Sequence, residues 1–245
     1  MPGPAESLHV VEHPGEHPDA PRVVLVHGVL DSSTSFEAVA AELADLSVMA
    51  YDRRGWGGSR HVTRADSLAE HADDLLAVIG HAPATVVAHS FGGTVALLAA
   101  ARRPDVVASL GLFEPTVMWA DWWPDWETQS EQAAKVQHQF RVGLEHVPKR
   151  TPEQRRADDE MLAAELALIA EPPFAFAEIA VPCLLAHSTL TTPYHVESVA
   201  QLARELGAGV VVIDDAGHTA HRARPREFAE FVRRAVTLGA TRRSG

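Results

Sequence analysis

The sequence predicts an α/β protein: a mostly parallel, doubly wound sheet with helices on both faces and a helical insertion. Three observations carry this. Short apolar, β-rich runs alternate with longer helical patterns along most of the 245 residues. The runs are nearly continuous in apolar residues rather than alternating, as strands buried on both faces require. One long stretch, 115–180, breaks the alternation and contains no convincing strand.

In chain order, strands are expected at Arg22 to His27, Ser47 to Asp52, Ala84 to His89, Val106 to Glu114, Cys183 to His187 and Gly209 to Asp214. Helices are expected at Thr34 to Leu43, Ser67 to Ile79, Phe91 to Arg102, His195 to Leu206 and Pro225 to Val236. The tail from Thr241 is expected to fray. The insertion reads as two helices, Thr128 to Phe140 and Pro152 to Ala170, bounded by prolines. Segments 1–114 and 181–245 are then expected to form the α/β core, and 115–180 a cap over the carboxyl edge of the sheet, where open α/β sheets bind ligands.

Composition excludes several classes. With 21 basic and 33 acidic side chains the formal charge is −12, which argues against a nucleic-acid partner, since that affinity comes from Lys and Arg neutralising phosphates. Cys183 is the one cysteine, so no internal disulfide forms, and its apolar surroundings suit a buried, inert thiol. Neither a signal peptide nor an apolar span is read, so a cytoplasmic location without a membrane partner is expected. The 14 histidines show no clustered ligand spacing, and no metal is expected. Oligomeric state is not legible.

The most informative motif is V-V-A-H-S-F-G-G-T-V-A-L-L-A-A, Val86 to Ala100. It runs strand, sharp turn, helix, with Ser90 at the bend of a G-x-S-x-G pattern whose first glycine is Ala88. Such a turn strains the nucleophile's backbone and needs small residues on either side. It also puts Ser90 at a helix N-terminus, where the Phe91 N–H can face a developing oxyanion. A serine that merely caps the helix is the competing reading.

Across nearly its whole length the chain resembles the α/β-hydrolases, with several motifs in order. L-V-H-G-V-L (Leu25 to Leu30) resembles the family's His-Gly strand end, which implies that Val29 offers the second oxyanion N–H. Y-D-R-R-G-W-G-G-S (Tyr51 to Ser59) resembles its Asp-Arg-x-Gly-x-Gly-x-Ser loop, with Arg53 to Gly55 expected to anchor a surface loop. D-D-A-G-H-T-A-H (Asp214 to His221) falls where members carry the catalytic histidine, implying His218 as base and leaving His221 to begin the last helix.

One departure stands out. The family's usual acid follows the strand after the cap, but Ser188 to Thr192 contains no carboxylate, and Thr191 or Thr192 occupies the expected place. Glu114 ends the strand before the cap; adjacent strand ends lie about 5 Å apart, and some members, including certain haloalkane dehalogenases, resemble this arrangement. A Ser–His dyad steadied by Thr191, or a binding protein with little turnover, are the other readings.

Trp119, Trp122, Trp123 and Trp126 recur at i, i+3, i+4, i+7, one face of a helix starting near Asp121. They form either cap packing or an apolar substrate wall. His89 is expected to pack, and Asp31 and His187 carry no assignment. The resemblance thus implies a cofactor-free serine hydrolase acting on a small-molecule ester, lactone or thioester. Carbon–carbon bond hydrolysis, peroxidation and a small-molecule receptor are the alternatives.

Overall fold

A computed structural model describes residues 7–135 and 150–243. Its seven strands are β1 (Val10–His13), β2 (Arg22–Val26), β3 (Ser47–Tyr51), β4 (Ala84–His89), β5 (Val107–Phe113), β6 (Cys183–Ser188) and β7 (Gly209–Ile213). They form one sheet in the order β1-β3-β2-β4-β5-β6-β7. Every pairing is parallel except β1 with β3, which is antiparallel. The sequence reading missed β1: it is a four-residue, half-exposed edge strand whose pattern carries little apolar signal. His13 ends that strand.

Strand residues feed two cores by the two-residue side-chain period. Val24, Val26, Val86, Ala88 and Leu112 face one core. It is covered by α2 (Leu68–Ile79), α3 (Phe91–Arg102) and α6 (Pro193–Leu206). Val23, Leu25, Val87 and Phe113 face the other, covered by α1 (Glu37–Ala41), α7 (Ala220–Ala223), the short helix that holds His221, and α8 (Pro225–Arg243). Cys183 is buried, and burial pushes its thiol up to about 12.

Several boundaries shift from expectation. The first helix is a 3-10 turn, Ser33–Phe36, followed by the short α1. The last helix continues through Arg243, so residues 241–243 are helical rather than frayed. The insertion between β5 and β6 holds α4 (Trp126–Lys135) and α5 (Pro152–Ala167); residues 136–140 of the first expected cap helix lie outside the described residues. A capping box of Thr151 and Gln154, with Pro152 in the first turn, starts α5. No helix among the described residues is long and apolar enough to cross a membrane.

The expected tryptophan helix does not form. Residues 117–123 make two successive tight turns, Ala120 N–H to the Val117 carbonyl at 3.0 Å and Trp123 N–H to that of Ala120 at 2.8 Å. Pro124 lacks the N–H a helix interior needs. The helix starts only after it, with the Asp125 carboxylate accepting from the Thr128 N–H at 2.8 Å.

Strand order places a crevice. From β2 the chain moves to β3 on one side and then to β4 on the other, so the topological switch lies between β2 and β4. Val29 follows the carboxyl end of β2, and Ser90 follows that of β4.

Candidate active site

Ser90 joins β4 to α3 with φ 53° and ψ −125°, backbone angles that an L-residue adopts only under strain. Its N–H donates to the Phe113 carbonyl at 3.0 Å, and its own carbonyl accepts from Gly93 at 2.8 Å and Thr116 at 3.2 Å, so the turn is held from three directions. The hydroxyl makes no capping bond to α3, against the simple N-cap reading; its Oγ lies 3.3 Å from Thr116 Oγ1.

Glycines let the neighbouring strand come close. A Cβ on Gly92 would sit 2.6 Å from the His27 carbonyl oxygen, and one on Gly28 would sit 2.9 Å from Ser90 Cβ. The chain end carrying Val29 therefore lies directly against the start of α3, where the first-turn N–H groups, Phe91's among them, have no intrahelical partner.

Glu114 follows β5 at φ 44° and is 0% exposed. Its Oε2 lies 2.6 Å from His218 Nδ1, and its Oε1 accepts from the Ser188 N–H and hydroxyl, both at 2.9 Å. Thr191 donates to Oε2 at 2.9 Å. Thus Thr191, at the position where the family's usual acid falls, contacts the carboxylate. Burial works against the charged form of Glu114, but the His195 and His218 imidazoles and the Ser188 N–H together hold its carboxyl down to about 2. An ionised carboxylate only accepts, so His218 Nδ1 carries the hydrogen of this bond. The His218 side chain is 20% exposed.

Around His218 the fold gathers imidazoles that the sequence did not connect. His195 stacks on His218 with ring centroids 4.4 Å apart and planes 3° from parallel. Its Nδ1 lies 3.0 Å from Thr191 Oγ1, 2.9 Å from Thr192 Oγ1 and 3.4 Å from Glu114 Oε2. A hydrogen on Nδ1 suits all three neighbours, each of which presents oxygen lone pairs. Burial and the His218 charge push His195 down to about 3, so it is neutral at pH 7.

His89 approaches His218 at 4.5 Å and His221 at 4.7 Å. Among the described residues neither of its ring nitrogens has a hydrogen-bond partner, and burial drives its pKa well down. His221 Nε2 and the Arg222 guanidinium bind Asp31, at 3.2 and 2.5 Å.

Two sets of donor atoms thus lie within 4.8 Å of one another: Asp31, His89 and His221, and Glu114, His195 and His218. Residue spacing could not show either set. In both, the carboxylate is already engaged by protein donors.

Arg53 corrects the surface-loop expectation. Its side chain is fully buried, whereas Arg54 pairs with Asp74 and Glu70 on α2 at 2.6 and 3.2 Å. Trp119 packs on Phe174 and Phe176, with centroids 5.3 and 6.0 Å away, and Trp122 stacks on Phe176 at 6.3 Å. Trp123 meets Tyr194 at 6.0 Å, and Tyr194 meets His195 at 4.2 Å. A line of rings therefore runs from the insertion to His218.

A seven-stranded, mostly parallel sheet with a strained serine after β4 and a histidine after β7 defines a hydrolase class. Residues 23–231 match the Alpha/beta hydrolase family, and the chain belongs to it. Lipase LipV of Mycobacterium tuberculosis (strain ATCC 25618 / H37Rv) is 29% identical over 265 residues, covering 92% of this chain and 96% of the lipase. Among solved structures, a thermophilic esterase from Thermogutta terrifontis superposes with a TM-score of 0.71 at 23% identity, covering 95% of this chain and 93% of the esterase. The enol-lactonase from Burkholderia xenovorans LB400 gives 0.68 at 22%, covering 94% and 96%. The protein is a hydrolase of this family, and a lipase is among its relatives in sequence.

Proposed function

We propose that the protein is a serine hydrolase cleaving a small to medium, apolar carboxylic ester, lactone or thioester through an acyl-enzyme. The observation that carries this is the strained Ser90 at a helix N-terminus, next to His89, whose ring lies 4.5 Å from that of a histidine whose Nδ1 is 2.6 Å from a buried carboxylate.

Ser90 Oγ attacks the carbonyl carbon while its proton passes to His218 Nε2. Glu114 holds the Nδ1–H and offsets the imidazolium charge. The Val29 and Phe91 N–H groups hold the oxyanion. As the tetrahedral species collapses, the leaving alcohol or thiol takes the proton from Nε2. Water repeats the sequence, and the acid product leaves Ser90 free.

Segment 115–180 acts as the cap, with Trp119, Trp122 and Trp123 forming its apolar wall. The ring contacts from Trp123 to His195 support this placement. These steps use side chains and backbone alone and call on no cofactor.

Fluorophosphonate labelling with mass mapping tests the reading. Stoichiometric labelling at Ser90, abolished in Ser90→Ala, is expected. A folded wild-type protein that stays unlabelled would mean a receptor-like or blocked site.

A further inference from the structure

We infer that Arg53 is the positioning residue of the oxyanion hole and ties it to the cap through Glu165. This rests on the serine-hydrolase reading, since it concerns the donors that reading assigns.

Arg53 and Glu165 are 0% and 1% exposed at the side chain and form a two-pronged ion pair, Nη1 to Oε1 and Nη2 to Oε2, the latter at 3.1 Å. The rest of the guanidinium turns to the loop after β2: Nε donates to the His27 carbonyl and Nη2 to the Gly28 carbonyl, both at 3.0 Å. The Arg53 N–H also donates to His27 Nε2 at 2.9 Å. His27 must then carry its hydrogen on Nδ1, which donates to the Gly28 carbonyl at 2.7 Å. The Gly28 oxygen thus has both lone pairs occupied.

Gly28 C=O and Val29 N–H belong to one planar, trans peptide. Two donors on its oxygen fix the plane, so the N–H on the opposite edge has one direction. They also polarise the peptide and strengthen that N–H as a donor.

The same guanidinium lies 4.7 Å above the Phe91 ring, so it touches one residue proposed to hold the oxyanion and the carbonyl of the peptide that carries the other's N–H. Glu165 sits on α5, within the insertion. A cap helix therefore anchors the cation that sets the hole. Lys could not replace Arg here, because three N–H donors on one nitrogen cannot reproduce the four bonds that fan out from the guanidinium.

The test compares wild type, Arg53→Lys and Glu165→Gln, each shown folded at assay temperature by circular dichroism. The readouts are kcat and KM for an aryl ester, the fluorophosphonate labelling rate and the affinity for a trifluoromethyl ketone, whose adduct carries an oxyanion. Arg53→Lys is expected to lower kcat, labelling rate and ketone affinity together by about a hundredfold, with KM within about threefold. Glu165→Gln is expected to lower the same three by about tenfold, and it decides the matter if the Lys variant does not fold.

Folded variants with wild-type kcat, or with a change in KM alone, would overturn the inference and leave the serine reading intact. A wild type that does not label at Ser90 would remove that reading and this inference with it.

Discussion

In the proposed mechanism Glu114 takes the acid's role from a different strand. The carboxylate that orients His218 comes from the strand before the insertion, and Ser188 and Thr191 on the next strand and loop supply donors to it. Replacing Glu114 by Gln keeps the shape but lets an amide group face His218 Nδ1. That favours the wrong tautomer, and a fall in kcat on the order of ten-thousandfold is expected. Thr191→Ala removes one donor from a carboxylate that keeps the others, so kcat should stay within about tenfold of wild type. Steady-state kinetics on both variants check this; a crippled Thr191→Ala beside an active Glu114→Gln would return the dyad reading. Ser90, Glu114 and His218 were legible because each sits at a strand end or turn that local pattern locates. His195, Thr116 and Arg53 were not, because their roles lie in contacts with residues far away in sequence.

At the scale of elements, the turn between β4 and α3 is the feature most exposed to disturbance. Gly92 lets α3 start against the end of β2, where an added Cβ would meet two backbone oxygens, at 2.6 Å from that of His27 and 2.7 Å from that of Val26. Backbone cannot yield as a flexible side chain can. Gly92→Ala is therefore expected to destabilise the protein by about 1–3 kcal/mol and to slow labelling of Ser90. Urea unfolding and labelling kinetics measure the two effects, and an unchanged midpoint would show that the helix has room to shift. The tryptophan segment teaches the converse: its helical spacing was real in sequence, but Pro124 and the Asp125 cap placed the helix start beyond three of the four rings.

The whole molecule buries several neutral imidazoles, and this sets its response to acid. Burial and the Arg53 charge lower His27 to about 4, burial and the His218 charge lower His195 to about 3, and burial drives His71 and His89 well down. An unfolded chain takes up protons on these groups below about pH 6.5, whereas the folded chain does not. Stability is then fully present above that pH and declines as pH falls toward the folded values, by about 1.4 kcal/mol per pH unit for each such imidazole. Glu114, held down to about 2, adds a further loss as pH falls through the ordinary carboxylate range. Urea midpoints should drop between pH 7 and pH 5; a flat profile there would mean that these imidazoles take up protons in the folded state.

Local order along the chain determined the alternation of strand and helix, the strained serine turn, the histidine after the last strand and the shortage of carboxylates where the usual acid falls. Those features depend on neighbours within a few residues, through side-chain period, turn sterics and capping. Only the tertiary structure decided which carboxylate meets His218, that Arg53 is buried, and that His195 and His89 flank His218. Such contacts join elements dozens of residues apart, and their geometry exists only once the sheet order brings those elements side by side.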